Sequence, residues 1–118
     1  MTVLIVDDNP GVRRLLRRVV LDTASTVEEC SDGAEALAVY AALRPDIVLM
    51  DIHMSNMDGL AATRQIRKFH PQARVVIVTD YDYEDLRKAA SEAGACGYAP
   101  KQNLTELPAL LRAIVEKH

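Results

Sequence analysis

Three short stretches, TVLIV at residues 2–6, DIVLM at 46–50 and ARVVIV at 73–78, are apolar over almost their whole length. A strand with one wet face alternates apolar and polar side chains, whereas a continuous apolar run needs cover on both faces. Helices on either side of a parallel sheet provide that cover, and this chain follows its strands with helices. GVRRLLRRVVLD, after DDNP, places Val12, Leu15, Leu16, Val19 and Val20 at helical spacing. Thr26–Cys30 is a more polar strand and therefore belongs at an edge. Asp32-Gly33 opens an Ala-rich helix running to Leu43, which Pro45 prevents from continuing.

The same unit recurs. After Asp46–Met50 comes the loop DIHMSNMDG and a helix over Leu60–Phe69, with Ala62 and Ile66 facing inward. After Ala73–Val78 comes a helix over Asp82–Ala93 closed by Gly94, then a short fifth strand over Ala95–Ala99. The last helix carries Leu107, Leu111, Ile114 and Val115, and Thr105 as N-cap would place Pro108 in the first turn, where a missing N–H costs nothing. The expectation is a single α/β domain over residues 1–118, doubly wound, with a five-stranded parallel sheet and five flanking helices.

Bulk properties narrow the function. In 118 residues there is room for one core, and the net charge of −3 argues against direct nucleic-acid binding. No run approaches the roughly 20 apolar residues of a membrane span, and MTVLIVDDNP lacks the order of a signal peptide, so a cytoplasmic protein is expected. Cys30 and Cys96 have no metal-ligand spacing and read as two reduced, packed thiols.

Ligands of open parallel sheets bind beyond the carboxyl ends of the strands. The polar residues there are Asp7-Asp8 after the first strand, Asp51 after the third, Thr79-Asp80 after the fourth, and Tyr98 to Lys101 along the fifth. Aspartates after strands are common loop and cap residues, and any one alone would carry no weight. Five such groups at one rim do. Asp7, Asp8 and Asp51 repel one another unless a cation sits among them, and an all-oxygen donor set suits Mg²⁺ better than zinc. Lys101 and Thr79 suit phosphoryl oxygens, and Asp51, central on the rim, is the candidate nucleophile, with an aspartyl phosphate as product.

LIVDDNP, IVLMDIHMSNMDGL, VIVT and GYAPK, in this order and spacing, resemble the receiver domain of two-component response regulators. The resemblance covers the whole chain, and the ending GACGYAPKQNLTELPALLRAI is most similar to receivers that carry a helix-turn-helix output domain. It implies a flavodoxin-like sheet in the order 2-1-3-4-5 and a regulatory domain that catalyses only its own phosphorylation and dephosphorylation. It further implies that Asp51 accepts a phosphoryl group from a sensor histidine kinase or phosphotransfer protein. Asp8, Asp51 and the backbone carbonyl of His53 would bind Mg²⁺ directly, with Asp7 acting through water. Thr79 and Lys101 would hold the phosphoryl oxygens, and Tyr98 would be the switch aromatic coupled to Thr79. Phosphorylation would reshape the face made by the fourth helix, fifth strand and fifth helix. A DNA-binding output domain outside this chain, a role in transcription regulation and a homodimer through the last helices belong to the same implication. The arginines 13, 14, 17 and 18 form a basic face on the first helix, near where the family docks its kinase, or a plain solvated face.

Several residues depart from that pattern. Asp80 stands where receivers have Ala or Gly, adding bulk and charge beside the donor's approach, or else turns to solvent or caps the next helix. Ser55 replaces a proline, and Pro100 precedes Lys101 where many receivers place proline after the lysine; a trans Ala99–Pro100 bond is the default. His53 and Tyr81 flank the site at positions that tune phosphoryl lifetime in the family, and their bulk predicts slow dephosphorylation. Two alternatives remain: a pseudo-receiver whose interactions are independent of phosphorylation because of Asp80, and a Mg²⁺-dependent phosphoester hydrolase using Asp51. The second is disfavoured by His53, where such hydrolases need an aspartate.

Overall fold

The computed structural model describes residues 1–117. Five strands, β1 (Thr2–Val6), β2 (Thr26–Cys30), β3 (Ile47–Met50), β4 (Val75–Thr79) and β5 (Gly97–Pro100), form one parallel sheet in the order β2-β1-β3-β4-β5. Five α-helices connect and flank them: α1 (Pro10–Val20), α2 (Ala36–Leu43), α3 (Gly59–Phe69), α4 (Glu84–Glu92) and α5 (Leu107–Glu116). This is the doubly wound, flavodoxin-like arrangement.

The continuous apolar runs are central strands, and alternate residues face opposite layers. Leu4, Val6, Val48, Met50, Val75 and Ile77 pack with Tyr40, Ala62, Ile66 and Ala90 of α2, α3 and α4. Val3, Ile5, Ile47, Leu49, Val76 and Val78 pack with Leu16 and Val20 of α1 and Leu107, Leu111 and Ile114 of α5. Each fully buried aliphatic side chain contributes about 1.5–3 kcal/mol before chain entropy is counted, so the sheet is a stiff platform. Polar β2 lies at the edge, buried only at Cys30 toward its end.

Register aligns the carboxyl ends. Val6 lies beside Cys30 and Met50, Met50 beside Ile77, and Thr79 beside Pro100. The residues that follow β1, β3, β4 and β5 therefore emerge on one rim. Asn9 caps α1 by accepting from the N–H groups of Gly11 and Val12, which fixes the turn after Asp7-Asp8. Asp58 caps α3 by accepting from Ala61 N–H. Next to it a Cβ on Gly59 would lie 1.8 Å from the Asp51 carbonyl oxygen, so only glycine lets α3 start against the end of β3.

Local differences from the sequence reading have physical causes. Asp32 caps a 3₁₀ turn, Gly33–Glu35, before α2 begins at Ala36. Thr105 does not cap α5, because its hydroxyl donates to Asn103 Oδ1 and the helix starts at Leu107, with Pro108 still in the first turn. The helix expected from Asp82 begins at Glu84, since Asp82 is engaged by Arg87. The fifth strand starts two residues later than expected, after Gly94 leaves α4 at φ +104°. Cys30 is buried, but Cys96 is exposed rather than packed; both are free thiols. No cis peptide bond occurs among the described residues, and no helix is long and apolar enough to cross a membrane.

Candidate functional site

The strand ends bring Asp7, Asp8 and Asp51 together, with one carboxylate oxygen from each lying within 4.8 Å of the others. Asp7 and Asp51 are buried and Asp8 is exposed, so the cluster opens to solvent on one side. Backbone bonds fix the first two positions: Asp7 N–H donates to Cys30 O of β2, and Asp51 N–H to Val6 O of β1. Arg13 of α1 donates to the Asp7 carbonyl at 2.7 Å and is itself held by Glu29 at 2.9 Å.

Lys101 supplies the cluster's cation. Its Nζ lies 3.1 Å from Asp51 Oδ1 and 3.3 Å from Asp7 Oδ2. The first contact is an aligned hydrogen bond; the second is an ion contact without that alignment, which leaves the buried Asp7 Oδ2 with no hydrogen-bond partner. Burial pushes the Asp51 carboxyl up from its ordinary range, Asp7 pushes it further, and Lys101 opposes both. Burial also works against the Lys101 charge, but Asp51 and Asp7 more than offset it and hold the ammonium above its ordinary value.

An orphaned buried carboxylate oxygen beside two further carboxylates fits a hard cation. All three side-chain donors are oxygens, as Mg²⁺ prefers. The His53 ring is engaged elsewhere, edge-on to Tyr81 with centroids 5.3 Å apart.

Thr79 ends β4 on the same rim, fully buried, with its hydroxyl oxygen accepting from Tyr81 N–H at 3.4 Å. Tyr98 of β5 is half-buried, donates its hydroxyl to the Tyr81 carbonyl, and carries the Arg87 guanidinium 4.6 Å above its ring. Arg87 is paired with Asp82, which ties α4 to the loop before it. Asp80 is exposed, joins neither the carboxylate cluster nor an ion pair among the described residues, and does not cap α4. Nothing in this geometry favours the pseudo-receiver. The basic face of α1 divides, with Arg13 and Arg17 bound to Glu29 and Arg14 and Arg18 exposed.

Sequence reasoning missed three contacts at the rim. Ser55 donates to Asp8 Oδ2 at 3.3 Å, Arg13 holds the Asp7 backbone, and the Gln102 side-chain amide donates to the Asp80 carbonyl. Only the last had a readable signal, a side-chain donor directly after Lys101 where many receivers place a proline.

The family described as "Response regulator receiver domain" matches residues 3–113. The protein-glutamate methylesterase/protein-glutamine glutaminase 3 of Hahella chejuensis is 45% identical over 104 residues, 86% of this chain and 30% of that protein. The chemotaxis protein CheY of Halobacterium salinarum is 38% identical over 99 residues, 84% of this chain and 82% of its own length. Among solved structures, a LuxR-family two-component response regulator from an Aurantimonas species superposes with a TM-score of 0.93 at 35% identity, covering 99% of this chain and 86% of that one. The chain spans from 30% to about half of the length of several curated relatives that it matches. With the match running from β1 into α5 over the sheet order 2-1-3-4-5, the chain belongs to the response regulator receiver domain family, the regulatory modules of two-component systems that act as phosphorylation-controlled switches.

Proposed function

We propose that Asp51 is the phosphoacceptor and that a sensor histidine kinase or a phosphotransfer protein is the donor. The observation that carries this reading is a buried Asp51 carboxylate sharing the rim with Asp7, Asp8 and the Lys101 ammonium. An Asp51 carboxylate oxygen forms the new O–P bond as the donor's N–P bond breaks, and the electron pair leaves with the donor nitrogen. Asp7, Asp8 and Asp51, with the His53 carbonyl, would hold Mg²⁺, which when bound offsets the negative charge gathered by carboxylates and phosphoryl oxygens. Lys101 holds one phosphoryl oxygen by charge and Thr79 donates its hydroxyl to another. Movement of Thr79 is passed to Tyr98 through the loop at Tyr81, and so to the face of α4, β5 and α5.

The domain's own activity is confined to gaining and losing its phosphoryl group. A cytoplasmic setting, a helix-turn-helix output domain outside this chain and a homodimer through α4, β5 and α5 complete the proposal. Support for the output domain comes from the LuxR-family neighbour. The direct test is intact mass after incubation with Mg²⁺ and phosphoramidate: one phosphoryl group is expected on the wild type and none on Asp51→Asn. No gain from any small donor or kinase would contradict the proposal.

Two flanking positions set rates. Asp80 is exposed, so its charge acts on the incoming donor through screened solvent. Asp80→Ala is expected to speed phosphorylation by anionic donors about two- to fivefold at low salt, with the gain shrinking as salt rises. His53 and Tyr81 meet edge-on beside the site. The double variant His53→Ala, Tyr81→Ala is expected to shorten the lifetime of the phosphoryl group about tenfold by admitting water, read as phosphate release.

A further inference from the structure

Three consecutive carbonyls lead out of β4, those of Thr79, Asp80 and Tyr81, and each accepts a hydrogen bond from the β5 side. Thr79 O takes the Lys101 backbone N–H at 2.7 Å, Asp80 O takes the Gln102 side-chain amide, and Tyr81 O takes the Tyr98 hydroxyl. The first is the last backbone rung between the two strand ends. The other two continue it with side chains beyond the end of β4, one from Tyr98 within β5 and one from Gln102 just past it.

We infer that Gln102 is a positioning residue for phosphoryl transfer: its amide clasps the loop that follows Thr79 to the segment that carries Lys101. The inference rests on the function proposed above, in which the Thr79 hydroxyl and the Lys101 ammonium face the same phosphoryl group. Their relative placement depends on how the loop leaves β4. Thr79 Oγ1 accepts from Tyr81 N–H, so residues 79–81 form one turn, and whatever holds the turn's carbonyls also holds the hydroxyl. Without Gln102 the turn is held only at its two ends, by the Lys101 N–H on Thr79 O and the Tyr98 hydroxyl on Tyr81 O, and its middle peptide is free to rock between them. The Gln102 bond, on the carbonyl between them, removes that freedom. Gln102 adjoins Lys101 directly, so the clasp makes the two phosphoryl-facing groups move as a unit. A proline at this position would have no donor to offer.

Two measurements on the whole chain test this, with Gln102→Leu and Gln102→Glu, which lack the donor, and Gln102→Lys, which restores one. Amide hydrogen exchange at residues 80–83 without metal reads the clasp, and titration with beryllium trifluoride in Mg²⁺, followed by fluorine NMR, reads the phosphoryl site. Loss of one hydrogen bond is expected to speed exchange and weaken trifluoride binding about fivefold in the Leu and Glu variants. The Lys variant should stay near wild type, and all thermal midpoints within about 2 °C, because the bond lies at the surface. Unchanged exchange would overturn the clasp, and faster exchange with unchanged binding would overturn its role in positioning. A wild type that fails to bind trifluoride would instead refute the proposed function, while the exchange result still decides whether the clasp exists.

Discussion

Lys101→Met is expected to lose about 2–4 kcal/mol of stability at neutral pH, and to accept a phosphoryl group about a hundredfold more slowly. The side chain is 12% exposed, against 7% for Asp51 and 1% for Asp7, so its removal leaves two carboxylates buried without their cation. Methionine keeps the apolar stem in place and isolates the loss of charge. The pH dependence follows from the directions of the shifts. The Lys101 pKa is raised in the folded state, so its contribution is complete below the unfolded value, near 10.5, and is lost only as pH rises through the folded one. In the variant, Asp51 loses the group that opposes its upward shift, so the folded state takes up protons more readily as pH falls. Urea unfolding should therefore show a large deficit at pH 7 that shrinks toward pH 4. An equal deficit at both would contradict an electrostatic origin.

Asp51→Asn is expected to do the opposite to stability while abolishing phosphoryl acceptance. A carboxyl whose folded pKa is raised contributes stability below its unfolded value, near 3.8, and that contribution is lost as pH rises through the folded value. At pH 7 an ionised Asp51, buried beside Asp7, is therefore a burden, and the neutral amide removes it. Lys101 keeps Asp7 as a partner in the variant. The expected gain is on the order of 1 kcal/mol, about 4 °C in thermal midpoint, and it disappears in acid. Added Mg²⁺ should narrow the difference, since an ion held by Asp7, Asp8 and Asp51 stabilises the wild type more than the variant. A variant less stable than wild type at pH 7 without metal would contradict the assigned direction of the Asp51 shift.

The central strands were legible because burial on both faces leaves a short apolar run, and its β-branched content and polar flanks separate it from a buried helix segment. The rim was legible for a related reason: parallel strands of aligned register deliver whatever follows them to the same edge, so Asp7, Asp51 and Thr79 could be placed together from their positions alone. Helix starts were less legible, because several residues compete for each cap. Asp82 and Thr105 both have the chemistry of an N-cap, yet one is drawn to Arg87 and the other to Asn103. The partners in contacts between loops were hidden. Gln102 could be noticed as a side-chain donor after Lys101, but that it reaches the Asp80 carbonyl depends on how two loops leave neighbouring strands, which the local sequence does not encode. The exposure of Cys96 was missed for a similar reason, since its place before β5 is set by where α4 ends at Gly94.

Asp51 as the phosphoacceptor is tested most directly by locating the modification. After incubation with Mg²⁺ and phosphoramidate, borohydride reduces an aspartyl phosphate to homoserine, and peptide mapping identifies the residue converted. Conversion at position 51 alone, absent without Mg²⁺ and in protein never exposed to the donor, is the predicted result. Conversion at Asp7, Asp8 or Asp80 with Asp51 intact, or no conversion anywhere, would contradict it.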